Sequence, residues 1–174
     1  MMMNMLLAGG VPLLTDGIRT ADSSNPRGYF EYERVKALEH HTDLSWLPEA
    51  RGKAIKVISY LLTWLPETYD YRVIFMERSL DEIIASQDKM LDRLHEEGRT
   101  TADASTRDVY VKHLNHVARL LDKRQCFRSL RVSYRHVLES PENEARRISA
   151  FLDRVLDIER IASVVDQRLY RIRH

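Results

Sequence analysis

Val73-Ile74-Phe75-Met76-Glu77-Arg78-Ser79-Leu80-Asp81-Glu82 decides the fold. Its first half is β-branched and aromatic, which favours a strand over Tyr71–Met76 that ends next to Arg78. Ser79 followed by Glu82 is a Ser-x-x-Glu capping box, which opens a helix. The start of that helix therefore faces the C-terminal edge of a sheet. Doubly wound folds bind anions at this edge, because free N–H groups and the helix dipole favour negative charge there.

Two further runs read as strands: Lys53–Ser59 (Lys-Ala-Ile-Lys-Val-Ile-Ser) and Leu130–Tyr134. Helical periodicity joins Leu80, Ile83, Ile84, Gln87, Leu91 and Leu94, then Val111, Leu114, Val117 and Leu121, and after Pro141 it joins Ile148, Phe151, Leu152 and Val155. Strands separated by helices of this length predict right-handed crossovers. The expected fold is α/β, a mostly parallel sheet flanked by helices. Residues 15–30 carry dense turn chemistry and read as a surface loop. The opening run Met1–Ala8 reads as a helix without a capping residue, stopped by Gly9-Gly10 and Pro12.

With 174 residues, the chain fits one domain spanning 1–174. Its 44% hydrophobic and 30% charged residues exclude a disordered or fibrous class. Lys+Arg of 27 against Asp+Glu of 26 leaves +1, too little to steer the whole molecule onto nucleic acid or an anionic membrane, so any anion site must be local. The single cysteine, Cys126, excludes an internal disulfide framework and a cysteine-based zinc cluster. No stretch approaches the roughly 20 apolar residues of a membrane span, and the N-terminus lacks the basic start of a signal peptide. A cytoplasmic protein is expected.

The candidate chemistry follows from the edge described above. Arg78 supplies a permanent bidentate donor at a strand tip, and Ser86 adds a hydroxyl two turns along the same side of the helix as Ser79. Together they can grip a phosphate; the plain alternative is a capping box beside a surface arginine. Leu130–Pro141 reads as a strand, a loop and a helix with Pro141 at its first position, which puts Tyr134 at a strand end. Its ring can flank an aromatic base or simply pack.

These two elements, in this order, resemble the sulfotransferases, P-loop-like α/β enzymes that move a sulfuryl group from 3′-phosphoadenosine-5′-phosphosulfate (PAPS) to an acceptor. The resemblance runs from the first helix to about Asp153 and is closest to bacterial sulfotransferase-like proteins. It implies that Arg78 and Ser86 bind the 3′-phosphate, the Ser following the strand-end Arg by eight residues. It also implies that Tyr134, followed by Leu138, Pro141, Phe151 and Leu152, approaches adenine. Asn25-Pro26-Arg27-Gly28-Tyr29-Phe30-Glu31 matches the family as well. The family's 5′-phosphosulfate loop should precede the first helix, and the sequence begins inside that helix. It therefore reads as N-terminally truncated, with its activity in doubt.

A second departure concerns the base. The cytosolic branch carries a His two residues after a Lys, whereas this chain has Lys56-Val57-Ile58. Other branches use a Glu shortly after the first helix and loop. Glu31 matches it best, with Glu33 in reserve, and either is otherwise a solvated charge at a helix start. Lys56 is expected to orient the acceptor or the sulfuryl oxygens, and His40-His41 are alternative bases. His113-x-x-His116, with His95 upstream, has metal-like spacing but no third ligand, and no metal is expected. The tail from Gln167 to His174 is basic, in the manner of a late segment that closes the 3′-phosphate pocket in relatives, or of a frayed terminus.

The expected reaction is sulfuryl transfer to a hydroxyl or amine on an unspecified small-molecule or glycan acceptor, without nucleic acid or membrane and with no oligomeric state implied. The loop at 15–30 and the helix at 100–124 are the expected acceptor walls. The rival from another class is a non-catalytic nucleotide-binding or interaction module. A P-loop kinase relative would need a Gly-Lys-Ser/Thr loop and magnesium carboxylates, neither of which the sequence has.

Overall fold

A computed structural model of the chain describes residues 1–21, 25, 28–40, 43–83 and 104–165. The elements in chain order are helix α1 (Met2–Ala8), strand β1 (Tyr71–Glu77), helix α2 (Ala104–Lys123), strand β2 (Phe127–Ser133), and helices α3 (Tyr134–Glu139), α4 (Pro141–Leu152) and α5 (Ile158–Ser163). Tight 3-10 turns cover Glu33–His40, Leu47–Ala50 and Ser59–Trp64. Residues 80–83 are helical, opened by Ser79, whose Oγ accepts the Glu82 N–H at 3.2 Å. None of the described helices is long and apolar enough to cross a membrane.

β1 and β2 pair in parallel, in register from Tyr71↔Phe127 to Glu77↔Ser133. Side chains alternate across a strand, and here the alternation sorts them into two separate apolar clusters. Tyr71, Val73, Phe75 and Phe127 pack with Val117 and Leu121 of α2 and with Leu61 and Leu62 of the 3-10 turn beside it. Ile74, Met76, Leu130 and Val132 pack instead with Met5 of α1, Val137 of α3, Ile148 of α4 and Ile161 of α5. Both faces are therefore covered, as a parallel pair requires. Fully burying a side chain such as Ile148 or Ile161 contributes roughly 1.5–3 kcal/mol. The α/β class expected from the sequence is what these residues form.

The expected strand over Lys53–Ser59 is not one. Only Ala54 bridges, to Leu13, through Ala54 N–H to Pro12 O (2.8 Å) and Leu14 N–H to Ala54 O (2.9 Å). The ladder cannot extend backwards, because Pro12 has no N–H to give. Forwards, the Asp16 N–H that would continue it donates to Glu31 O at 3.2 Å. The alternation still holds, with Leu13 and Ala54 in one cluster and Leu14, Ile55 and Val57 in the other. Ser59 then starts a 3-10 turn.

Other expectations fare unevenly. Tyr134 is the first residue of α3, not the last of a strand, because Ser133 Oγ accepts the His136 N–H and caps a helix there. Val155 lies beyond α4 and is fully exposed. Met2, Met5 and Leu6 form the buried stripe of α1, whose N-terminus carries no side-chain cap, as the sequence suggested. The helical pattern beyond Ile83 lies outside the described residues.

Gly9, the residue that ends α1, packs against Ile161 of α5. A Cβ there would stand 2.6 Å from Ile161 Cδ1 and 2.9 Å from Cγ1, and Ile161 is fully buried, so its side chain must shift within the core. Gly9→Ala is expected to lower stability by about 1–3 kcal/mol. Adding Ile161→Val removes the nearer carbon, so the double variant should lose less than the sum of the two singles in denaturant unfolding. Additive losses would show that the two groups do not meet.

Candidate functional site

The register of the parallel pair sets the first cluster. Since Glu77 pairs with Ser133, the next residues in each strand's path, Arg78 and Tyr134, come out side by side. The Arg78 guanidinium carbon lies 4.0 Å from the Tyr134 ring centroid, a cation–π contact. Glu82, whose side chain is nearly buried, approaches Arg78 Nε with Oε2 at 3.9 Å. That is too long for a hydrogen bond, and Nε is buried without one. The arginine side chain as a whole keeps 31% exposure. Both helices that follow the strands are opened by serine caps, Ser79 and Ser133. The structure thus brings together two of the three residues expected to bind nucleotide. The third, Ser86, lies outside the described residues.

A second cluster joins the two residues expected to be catalytic. Lys56 Nζ donates to Glu31 Oε1 at 3.0 Å and to Tyr29 O at 3.2 Å. Arg19 Nη1 donates to the same Glu31 oxygen at 3.3 Å, and its guanidinium lies 3.5 Å from the Tyr29 ring centroid. The backbone that presents these groups is unusual. Gly28 (φ 81°) and Phe30 (φ 52°) are both left-handed, and for Phe30 this costs of order 1–3 kcal/mol. Asp16 pins the segment from outside. Its N–H reaches Glu31 O, Oδ2 accepts the Glu33 N–H at 2.5 Å, and Oδ1 accepts the Ile18 N–H at 3.0 Å. These backbone donors, Glu33 first, hold the Asp16 carboxyl below its ordinary value.

Glu31 feels opposing influences. Partial burial pushes its carboxyl up, but the hydrogen bond and charge of Lys56, and then Arg19, outweigh that and leave it below the ordinary 4.5. It is therefore an anion at neutral pH, with lowered proton affinity. Glu33, the reserve base, is ion-paired with Lys36 at 2.7 Å, which raises the lysine.

Of the histidines, His40 is exposed at the end of its 3-10 turn, and His41 and His95 lie outside the described residues. His113 is bonded through Nε2 to Ser59 Oγ at 2.8 Å, while His116 is exposed. The basic segment from Gln167 to His174 also lies outside the described residues. Sequence reasoning missed Arg19, Asp16 and Ser59. Ser59 and His113 are 54 residues apart, and no spacing rule links such positions. Arg19 sits in the turn-rich loop, where no periodicity exists to flag it.

No family model matches this chain, and no curated protein or solved structure does either.

The Glu31 ion pairs carry a pH signature. A carboxyl lowered by folding adds stability above its unfolded value, and that stability is lost as pH falls through the folded value. Glu31 is only a quarter exposed, but its partners are a third to a half exposed and therefore screened. The Glu31→Gln variant should be roughly 0.5–1 kcal/mol less stable than the parent at neutral pH. In denaturant unfolding the gap should close as pH drops below 4.5. A gap constant with pH would mean that the charge contributes nothing.

Proposed function

We propose that this chain is a sulfotransferase-type protein that binds PAPS and moves its sulfuryl group to a hydroxyl or amine acceptor in a reducing compartment such as the cytoplasm. The observation that carries the reading is the Arg78–Tyr134 stack at the C-terminal edge of two parallel strands. A guanidinium and an aromatic ring fixed face to face suit a ligand that offers both phosphate and base. The buried Nε without a hydrogen bond, turned toward Glu82, leaves the terminal N–H groups as the donors for a phosphate. In this reading Arg78 and Ser86 take the 3′-phosphate and Tyr134 takes the adenine.

The acceptor side is the Arg19–Tyr29–Glu31–Lys56 cluster. Lys56 offers a cation to the sulfuryl oxygens, and Glu31 fixes where that cation stands. In the transfer, the acceptor oxygen or nitrogen bonds to sulfur in line. The bond from sulfur to the bridging oxygen breaks, and adenosine 3′,5′-bisphosphate leaves with the electron pair. The acceptor's proton must pass to a base. Glu31 is the expected base, weakened by the two cations on its oxygen.

That weakening supports the second reading, a nucleotide-binding module without transfer chemistry. Both readings share the nucleotide grip and differ only in turnover.

Calorimetric titration tests the grip. Adenosine 3′,5′-bisphosphate should bind more tightly than ATP, and Arg78→Ala should weaken it at least tenfold, which corresponds to about 1.4 kcal/mol. Tyr134→Phe keeps the ring and should bind nearly as the parent does, whereas Tyr134→Ala should not. A preference for ATP, or no loss in Arg78→Ala, overturns both readings. Label transfer from [35S]PAPS to a panel of alcohols then separates enzyme from module.

A further inference from the structure

We infer that the outward face of α2 is a docking surface for an acidic segment of a partner protein, a peptide that carries carboxylates around an apolar side chain. The helix turns Val117 and Leu121 into the core. On the opposite side, Lys112, His116, Arg119 and Lys123 recur every three or four residues, which aligns them in one stripe about 16 Å long. All of them are exposed. Arg119 Nε donates to the Asn115 carbonyl at 3.2 Å, and no carboxylate among the described residues pairs with any cation of the stripe.

The later helices are built the other way. Arg135 pairs with Glu139 on α3 at 2.7 Å, Arg146 with Glu142 on α4 at 3.1 Å, and Arg160 with Asp157 at the start of α5 at 3.4 Å. Each of these helices supplies its own counter-charge three or four residues away. On α2 the same spacing sets cation against cation, which repels instead of supporting the helix. Carboxylates brought by a partner would remove that repulsion.

Shape narrows the partner further. An open cavity of about 340 Å³ lies at the C-terminal end of the stripe, lined by His116, Arg119, Leu120, Lys123 and Arg124. Leu120 is partly buried against the core, and the aliphatic stems of Arg119 and Lys123 extend its apolar wall while their charged ends stay in water. Arg124 is committed elsewhere, to Glu67 at 2.9 Å and to the Leu62 and Thr63 carbonyls at 3.1 Å, so it frames the hollow. An apolar side chain suits this hollow, with acidic neighbours facing Arg119 and Lys123. A nucleic-acid strand would demand cations spread well beyond one stripe, and the chain's net charge is only +1. The surface is separate from the candidate nucleotide grip. Lys123 precedes β2, whereas Tyr134 follows it, about 20 Å along the strand.

Fluorescence anisotropy of the full chain tests the surface, with a fluorescein-labelled peptide of Glu-Glu-Leu repeats as the probe. The peptide should bind saturably and more weakly as salt rises. Arg119→Glu and Lys123→Glu should each weaken binding by about tenfold or more. Arg146→Glu and Arg160→Glu change the net charge equally and should bind as the parent does. Arg119→Glu sets a carboxylate four residues before Lys123, so its unfolding midpoint should not fall, which separates lost docking from lost folding. A peptide with Ser in place of Leu should bind distinctly less well, because it leaves the hollow empty. Binding that survives both charge reversals on α2, or that ignores the loss of Leu, overturns the proposal. Single-stranded DNA of equal charge that binds as tightly as the peptide overturns it as well, in favour of a nucleic-acid surface.

Discussion

The parallel register between Tyr71–Glu77 and Phe127–Ser133 is the constraint on which the candidate nucleotide grip depends. It cannot drift. Odd-numbered positions of both strands supply one apolar cluster and even-numbered positions the other, so a slip of one residue would send Val132 to the wrong layer. Because that alternation is enforced by burial on both faces, the first residues past the strand ends are aligned as firmly as the strands themselves. Arg78 meets Tyr134 for this reason and needs no bond of its own to arrange it.

The charged cluster arises from the opposite circumstance, a ladder that stops. Pro12 ends the Leu13–Ala54 pairing on one side, and on the other the Asp16 N–H goes to Glu31 O. The diverted amide ties the Gly28–Glu31 segment to the chain that follows the Leu13–Ala54 bridge, and Lys56, just beyond the bridge, reaches across to Glu31 and Tyr29 O. The left-handed Phe30 is a local cost of this path. Hydrogen bonds from Lys56 to Tyr29 O and from the Glu33 N–H to Asp16 hold the segment on both sides of it.

What was legible in the sequence were the features that depend on neighbours in the chain. The β1 run and its Ser79 cap, Pro141 at a helix start, and the α2 stripe with Val117 and Leu121 all rest on local periodicity and capping. The Lys53–Ser59 strand misled because its composition is that of a strand, while its pairing was decided by Pro12 and Asp16, some 40 residues away. The β-like composition of Leu130–Tyr134 masks the helix start at Tyr134, which the Ser133 cap sets. In the site, Glu31 and Lys56 are each legible on their own in the sequence, and the fold joins them by one hydrogen bond. Arg19, Asp16 and the Ser59–His113 contact depend on tertiary path alone, which no spacing encodes.

The two cations on Glu31 set its proton affinity. A carboxylate that accepts from both Lys56 and Arg19 on a single oxygen is easy to ionise and correspondingly reluctant to take a proton back. Each cation that fixes its position lowers its strength as a base. The same arrangement suits Glu31 to a different task, keeping the Lys56 ammonium from turning to solvent, where its four-carbon stem would otherwise let it go.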